Sequence, residues 1–197
     1  MAKKDLLYYI PAGQYGKEGV LSLLEQHPEI KFVSLVGIDL AGNDTDEKIP
    51  MSVFFDDYES FFEGRAVQTD GSSVVLTNIA TLNNARVDMW GDPDVNWFVD
   101  YNYENIDEAT GLPTGTLRIP AFLMHNYRYV DSRSILKRSC DYVRAELLSL
   151  IKEKGIPSMP HINSDEIVDI VFTSATELEF WVKTPSKTVT NASPGAL

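Results

Sequence analysis

The chain has 197 residues, of which 44% are apolar, which is enough for one large globular domain or two small ones with a sizeable core. Its 29 acidic and 17 basic residues give a net charge of -12, which repels phosphate backbones and anionic lipid surfaces and argues against nucleic-acid or membrane partners. The single cysteine, Cys140, allows no internal disulfide, and no apolar run is long enough for a signal peptide or a membrane span. We therefore expect a cytoplasmic globular protein.

The first part of the chain predicts short strands with few helices. Apolar residues at helical spacing between Gly16 and His27 predict an amphipathic helix that ends before Pro28. After it the pattern predicts a strand over 30–38, a turn over 39–43, an extended piece over 48–54, a brief helix over 58–63 and a turn-rich segment over 69–73. In the first of these strands, Val33, Leu35 and Gly37 share one face.

Strands continue through the middle of the chain, and a long helix follows them. The pattern predicts a strand-like run that begins with 74–76, further strands over 86–90, 96–101 and 116–125, a turn over 91–94 and a surface loop over 102–115. A helix is predicted over 132–154, with Asp131 placed to cap its first turn and Gly155 to end it. Its apolar stripe, from Leu136 to Ile151, is expected to face a core.

The stretch from Phe172 to Val182 alternates as a strand does and carries two acidic side chains on one face. On a strand, Glu177 and Glu179 would lie roughly 7 Å apart and repel each other unless water or a cation screens them. A divalent ion that prefers oxygen ligands would bind between the two carboxylates and offset this repulsion. The alternative is a half-exposed strand on which the two glutamates simply face the solvent. No later strand follows to pair with it, so the sequence predicts a second domain that has only begun.

A second candidate residue is Asp70, which precedes Gly71 and two serines in a predicted turn. Backbone amides and hydroxyls in such a turn can hold a carboxylate in one orientation, although an ordinary Asx-type turn has the same composition. The chain has no glycine-rich phosphate loop, and its three histidines lack zinc-ligand spacing.

Several of these stretches, in this order, resemble the N-terminal part of glutamine synthetase. They include Phe62-Glu63-Gly64, Asp70-Gly71-Ser72-Ser73, Asp88-Met89 with Pro93-Asp94, Asp131-Ser132-Arg133 with Leu136-Lys137-Arg138, and Glu177-Leu178-Glu179-Phe180. The resemblance implies an α+β fold: an extension over residues 1–15, a β-grasp-like domain over 16–126 and the incomplete start of an α/β catalytic domain over 127–197. It also implies a homo-oligomer.

The family joins ammonia to the γ-carboxylate of glutamate with ATP and Mg²⁺ or Mn²⁺. The resemblance implies that Asp70 binds and deprotonates ammonium, and that Glu177 and Glu179 are metal ligands. Both roles agree with the chemistry of these side chains, because an anionic group attracts ammonium and carboxylates bind hard ions. As a fragment of the enzyme, the chain is expected to be inactive alone.

Two alternatives stay open at this point. Ser132 stands where the family usually has proline, and Ala175-Thr176 where it usually has Gly-Pro, so the chain could belong to a relative that ligates another amine to glutamate. It could also be a stand-alone β-grasp binding or regulatory module, in which Asp70 and the two glutamates are structural.

Overall fold

The computed structural model describes residues 5–76, 81–83, 85–177 and 179–180. The chain divides into two compact units, Met1–Val143 and Arg144–Leu197. Its strands are β1 Tyr9–Ile10, β2 Ile30–Ile38, β3 Asp44–Pro50, β4 Val67–Asp70, β5 Arg86–Gly91, β6 Trp97–Ile106, β7 Pro113–His125 and β8 Arg128–Tyr129. Its α-helices are α1 Lys17–Glu25, α2 Met51–Asp56 and α3 Ser132–Lys154, and single 3₁₀ turns span Tyr58–Phe61, Gly71–Ser73 and Ser164–Glu166.

The eight strands form one sheet that is organised around β7. The first part of β7 lies between β6 and β2, and its last residues pair with β5 and β8. The β2–β7 pair is parallel, whereas the other pairings among the described strands are antiparallel. The predicted mixed fold of short strands and few helices is therefore confirmed at this level.

The core lies on one face of β2 and β7, as the alternation in β2 predicts. Val33 and Leu35 are fully buried, as are the inward side chains of β7, Leu117, Ile119, Ala121 and Leu123. Gly37 is the next inward position of β2, and a Cβ there would lie 2.3 Å from Leu123 Cδ2. The absence of a side chain at Gly37 therefore makes room for Leu123.

Of the extended piece predicted over 48–54, residues 48–50 belong to β3 as predicted. The rest of the prediction is wrong, because residues 51–56 form α2. Met51 and Phe54 are three residues apart and both buried, which a helical turn allows. The Phe54 ring packs against that of Phe61, with centroids 5.0 Å apart. β3 itself starts earlier than predicted, at Asp44, since a strand at the end of the sheet needs little apolar sequence.

The surface loop predicted over 102–115 is also shorter than expected. β6 continues to Ile106 and β7 begins at Pro113, so the connection covers only residues 107–112. Most residues of 102–106 are polar and all of them are exposed, which is why the pattern gives no strand signal there. Backbone pairing across the hairpin, with Asn102 opposite Thr114, forms the strands nevertheless.

The strand-like run predicted to begin at Val74 is described only at its start. Val74 and Leu76 are buried, Leu76 forms an isolated β-bridge, and 77–80 lie outside the described residues. The backbone N–H of Val75 donates to the carboxylate of Asp39.

The long helix α3 has the predicted bounds, and Asp131 caps it by accepting a hydrogen bond from Ser134 N at 2.7 Å. Its apolar stripe does not face a core in the described part of the chain: Leu136 is 65% exposed, Leu147 37% and Leu150 46%. No described helix is long and apolar enough to cross a bilayer.

The strand predicted over 172–182 is not observed in its described part. Residues 172–177, 179 and 180 have no regular secondary structure and are exposed, and the rest of the stretch lies outside the described residues. A strand needs a partner for its backbone N–H and C=O groups, and no described strand pairs with this segment.

Candidate functional site

Asp70 is the last residue of β4, which pairs with β5, and it leads directly into the 3₁₀ turn Gly71–Ser73. Its Oδ1 accepts a hydrogen bond from the backbone N–H of Ser72 at 2.7 Å, so the turn predicted from the sequence is present. The carboxylate is exposed to solvent while one oxygen is fixed by this bond. A ligand cation could therefore reach it without any rearrangement of the turn.

Gly71 fixes the path of the chain directly after Asp70. Its N–H donates to the carbonyl oxygen of Ala85 at 2.7 Å, and a Cβ on it would lie 2.1 Å from the carbonyl oxygen of Leu82. Two backbone segments thus approach each other so closely that only glycine fits between them.

Asp39 anchors the other side of the Asp70 turn, from the turn between β2 and β3. It is fully buried, and its Oδ1 accepts from the N–H groups of Ala41 and Asn43, both at 2.9 Å. Its Oδ2 accepts from Asn43 Nδ2 at 3.0 Å and from Val75 N at 2.9 Å. Four donors therefore satisfy this buried carboxylate, and one of them belongs to the segment that follows the Asp70 turn.

A second contact joins the same two segments. Thr45, in the first part of β3, donates its hydroxyl to the carbonyl oxygen of Ser73 at 3.3 Å. Together with the bond between Asp39 and Val75, this contact holds the Asp70 turn against the β2–β3 hairpin.

The electrostatics of Asp70 keep it ionised near neutral pH. Hydrogen bonds from the hydroxyl and the backbone N–H of Ser72 stabilise its carboxylate form and lower its pKa below the usual value. Burial raises the pKa of Asp39, but hydrogen bonds from Asn43 and from backbone N–H groups outweigh it, so that this pKa is also lowered. Both carboxylates are therefore negative at pH 7.

Glu177 and Glu179 belong to the unit Arg144–Leu197, whereas Asp70 belongs to Met1–Val143. Both side chains are exposed on a segment without regular secondary structure. Among the described residues, no group of three or more His, Cys, Asp or Glu side chains is placed to hold a metal ion. The proposed metal role of the two glutamates stays a prediction.

A cavity of about 530 Å³ lies beside the first turns of α3, and the sequence pattern did not predict it. We call it the α3 cavity; its lining includes Asp92, Phe122, Tyr129, Arg133, Lys137 and Arg138. For Asp92 and the three basic residues the sequence predicts only a turn over 91–94 and a helix over 132–154. Arg133 and Lys137 have the i, i+4 spacing that places two residues on one helix face, whereas Arg138 falls outside this spacing.

Comparison with known proteins adds no family assignment to this geometry. No family model matches the chain, and no curated protein is similar to it at a significant level.

Proposed function

We propose that this chain is the N-terminal part of a glutamine synthetase-like ligase, in which Asp70 binds the ammonium that is joined to glutamate. The supporting observation is the exposed, ionised carboxylate of Asp70, held in one orientation by Ser72. The β-grasp architecture belongs to the same proposal and agrees with a mixed sheet centred on β7.

The lowered pKa of Asp70 refines this role. A carboxylate with a lowered pKa is fully charged at pH 7 and attracts a cation, but it is also a weaker base. Asp70 is therefore better suited to binding and orienting ammonium than to taking its proton before the amine attacks. One carboxylate oxygen of Asp70 is already fixed by Ser72, and the turn is held by hydrogen bonds to the β2–β3 hairpin. Less conformational entropy is therefore lost when the cation binds.

The metal part of the proposal has less support. Carboxylate oxygens are suitable ligands for Mg²⁺ or Mn²⁺, but Glu177 and Glu179 have no third described ligand beside them. We therefore derive no step that passes through a metal ion.

The role of Asp70 can be tested on the protein from the complete reading frame, by measuring glutamine formation from glutamate, ammonium and ATP. In the Asp70→Asn variant the amide can still accept the bond from Ser72, but the negative charge is lost. We expect turnover at low ammonium to fall about 100-fold, with ATP binding unchanged. Asp44→Asn, an exposed carboxylate at the start of β3, is the matched control and should keep full activity.

The outcomes separate the candidate functions. Unchanged turnover in Asp70→Asn would remove this residue from the mechanism, and turnover with another amine in place of ammonium would point to a relative of the family. A protein with no ligase activity toward any amine would favour a binding or regulatory module.

The metal ligands need their own experiment. Calorimetric titration with Mn²⁺ should show binding that is lost when Glu177→Gln and Glu179→Gln are combined, because the amides carry no charge. Binding that survives this double substitution would assign the metal to other residues.

A further inference from the structure

The α3 cavity concentrates basic side chains in a protein whose net charge is -12. Arg133, Lys137 and Arg138 all line it from the first two turns of α3. The lining also includes the carboxylates of Asp92 and Asp94, so basic side chains outnumber acidic ones in it by three to two.

Arg133 is held in place on two sides. Its Nη2 donates to Asp92 Oδ2 at 2.6 Å, and its guanidinium lies 4.8 Å from the centre of the Phe122 ring. Its Nη1, by contrast, is buried and has no acceptor among the described residues. Because Nη1 has almost no surface open to solvent, a molecule in the cavity does not contact it while Arg133 keeps this position.

The other two basic side chains remain accessible. Lys137 pairs with Asp141 at 2.8 Å, but both side chains are more than half exposed, and such a pair contributes little. Arg138 is exposed and forms no ion pair among the described residues. Both side chains are exposed to solvent, so a ligand can reach their charged ends.

Aromatic side chains supply an apolar surface next to this charge. The rings of Phe122 and Tyr129 pack edge to face with centroids 5.5 Å apart, and Tyr129 is 45% exposed. The volume of about 530 Å³ falls within the range of cavities that bind small molecules. A flat ring could therefore stack on Tyr129 while an attached anionic group reaches the helix.

We propose that the α3 cavity binds a small organic anion, in which a phosphate or carboxylate group is attached to a flat apolar part. The anionic group contacts Lys137 and Arg138, and the flat part stacks on Tyr129. Asp92 and Arg133 form an ion pair that is close to neutral as a unit. The anionic group therefore depends on Lys137 and Arg138 and has to bind apart from Asp94. The site is separate from Asp70 and does not depend on the proposed ligase activity.

Isothermal titration calorimetry of the 197-residue protein tests this proposal with phenyl phosphate and benzoate as probes. Inorganic phosphate lacks the ring and benzyl alcohol lacks the charge, so both should bind at least about tenfold more weakly than the better aryl anion. A preference for phenyl phosphate over benzoate, or the reverse, identifies the anionic group that the site accepts.

Variants locate the binding site. Combining Lys137→Gln with Arg138→Gln should raise the Kd of the better probe about tenfold or more. Lys152→Gln, on the same helix but outside the cavity lining, should leave it unchanged. Tyr129→Ala should weaken the aryl anion without affecting inorganic phosphate. The proposal is overturned if neither aryl anion gives saturable binding, or if the double variant binds as tightly as the wild type.

Discussion

The carboxylate of Asp39 accepts a hydrogen bond from the backbone N–H of Val75, 36 residues further along the chain, at 2.9 Å. This bond joins the β2–β3 turn to the segment that follows Asp70. Because Asp39 is fully buried and receives four donors, it is a structural anchor for the candidate site and not a reactive group.

Replacing this anchor should destabilise the protein. In Asp39→Asn, an amide NH₂ takes the place of one acceptor oxygen and faces N–H donors that then lose their partner. We expect the free energy of unfolding to fall by about 2 kcal/mol, measured by urea denaturation followed by tryptophan fluorescence. The exposed Asp44→Asn should change it by less than about 0.5 kcal/mol. Equal stability of the two variants would show that the buried network contributes nothing.

Asp39 should also make stability depend on pH in the acidic range. Its folded-state pKa is lowered, while the unfolded value is about 3.9. Its contribution is therefore complete above the unfolded pKa and is lost as the pH falls through the folded pKa. We expect the free energy of unfolding to decrease below about pH 4, and less steeply in Asp39→Asn than in the wild type. Parallel profiles for the two proteins would contradict this assignment.

Gly71 should not tolerate a side chain. In Gly71→Ala the new Cβ would lie 2.1 Å from the carbonyl oxygen of Leu82, so the backbone has to move. We expect a loss of about 1–3 kcal/mol in the free energy of unfolding. Gly19→Ala is the contrast, since it lies within α1 and the atoms nearest to its Cβ are Tyr15 Cδ1 at 3.3 Å and Tyr15 Cβ at 3.4 Å. This second change should alter the free energy of unfolding by less than about 1 kcal/mol in either direction, and thermal melting distinguishes the two.

Asp131 should contribute to stability through two backbone hydrogen bonds. It is fully buried, and its two oxygens accept from Ser134 N at 2.7 Å and from Leu123 N at 3.1 Å. Asp131→Ala removes the cap of α3 and leaves a buried N–H of β7 without a partner, so we expect a loss of about 2–3 kcal/mol.

Asp141→Ala is the control for this prediction, because its carboxylate is exposed on the same helix and pairs only with Lys137 among the described residues. It should cost less than about 0.5 kcal/mol in urea denaturation. A similar loss in both variants would mean that helix charge, and not the buried cap, is the cause.

The amino-acid sequence by itself determined the elements whose signals are local. The alternation in Ile30–Ile38 and the capping residues Asp131 and Gly155 predicted β2 and α3 with their observed bounds. The turn at Asp70 was also predictable, since aspartate followed by glycine and serine favours such a turn wherever it occurs.

Only the tertiary structure decided the features that depend on distant partners or on water. The polar end of β6 forms a strand because β7 lies beside it, whereas the alternating segment around Glu177 and Glu179 lacks a described partner and forms none. The role of Asp39 depends on Val75 and the α3 cavity on Asp92, Phe122 and Arg133, which are far apart in sequence. The donors of these hydrogen bonds and the walls of the cavity come together only when the sheet forms. A local sequence pattern therefore cannot predict them.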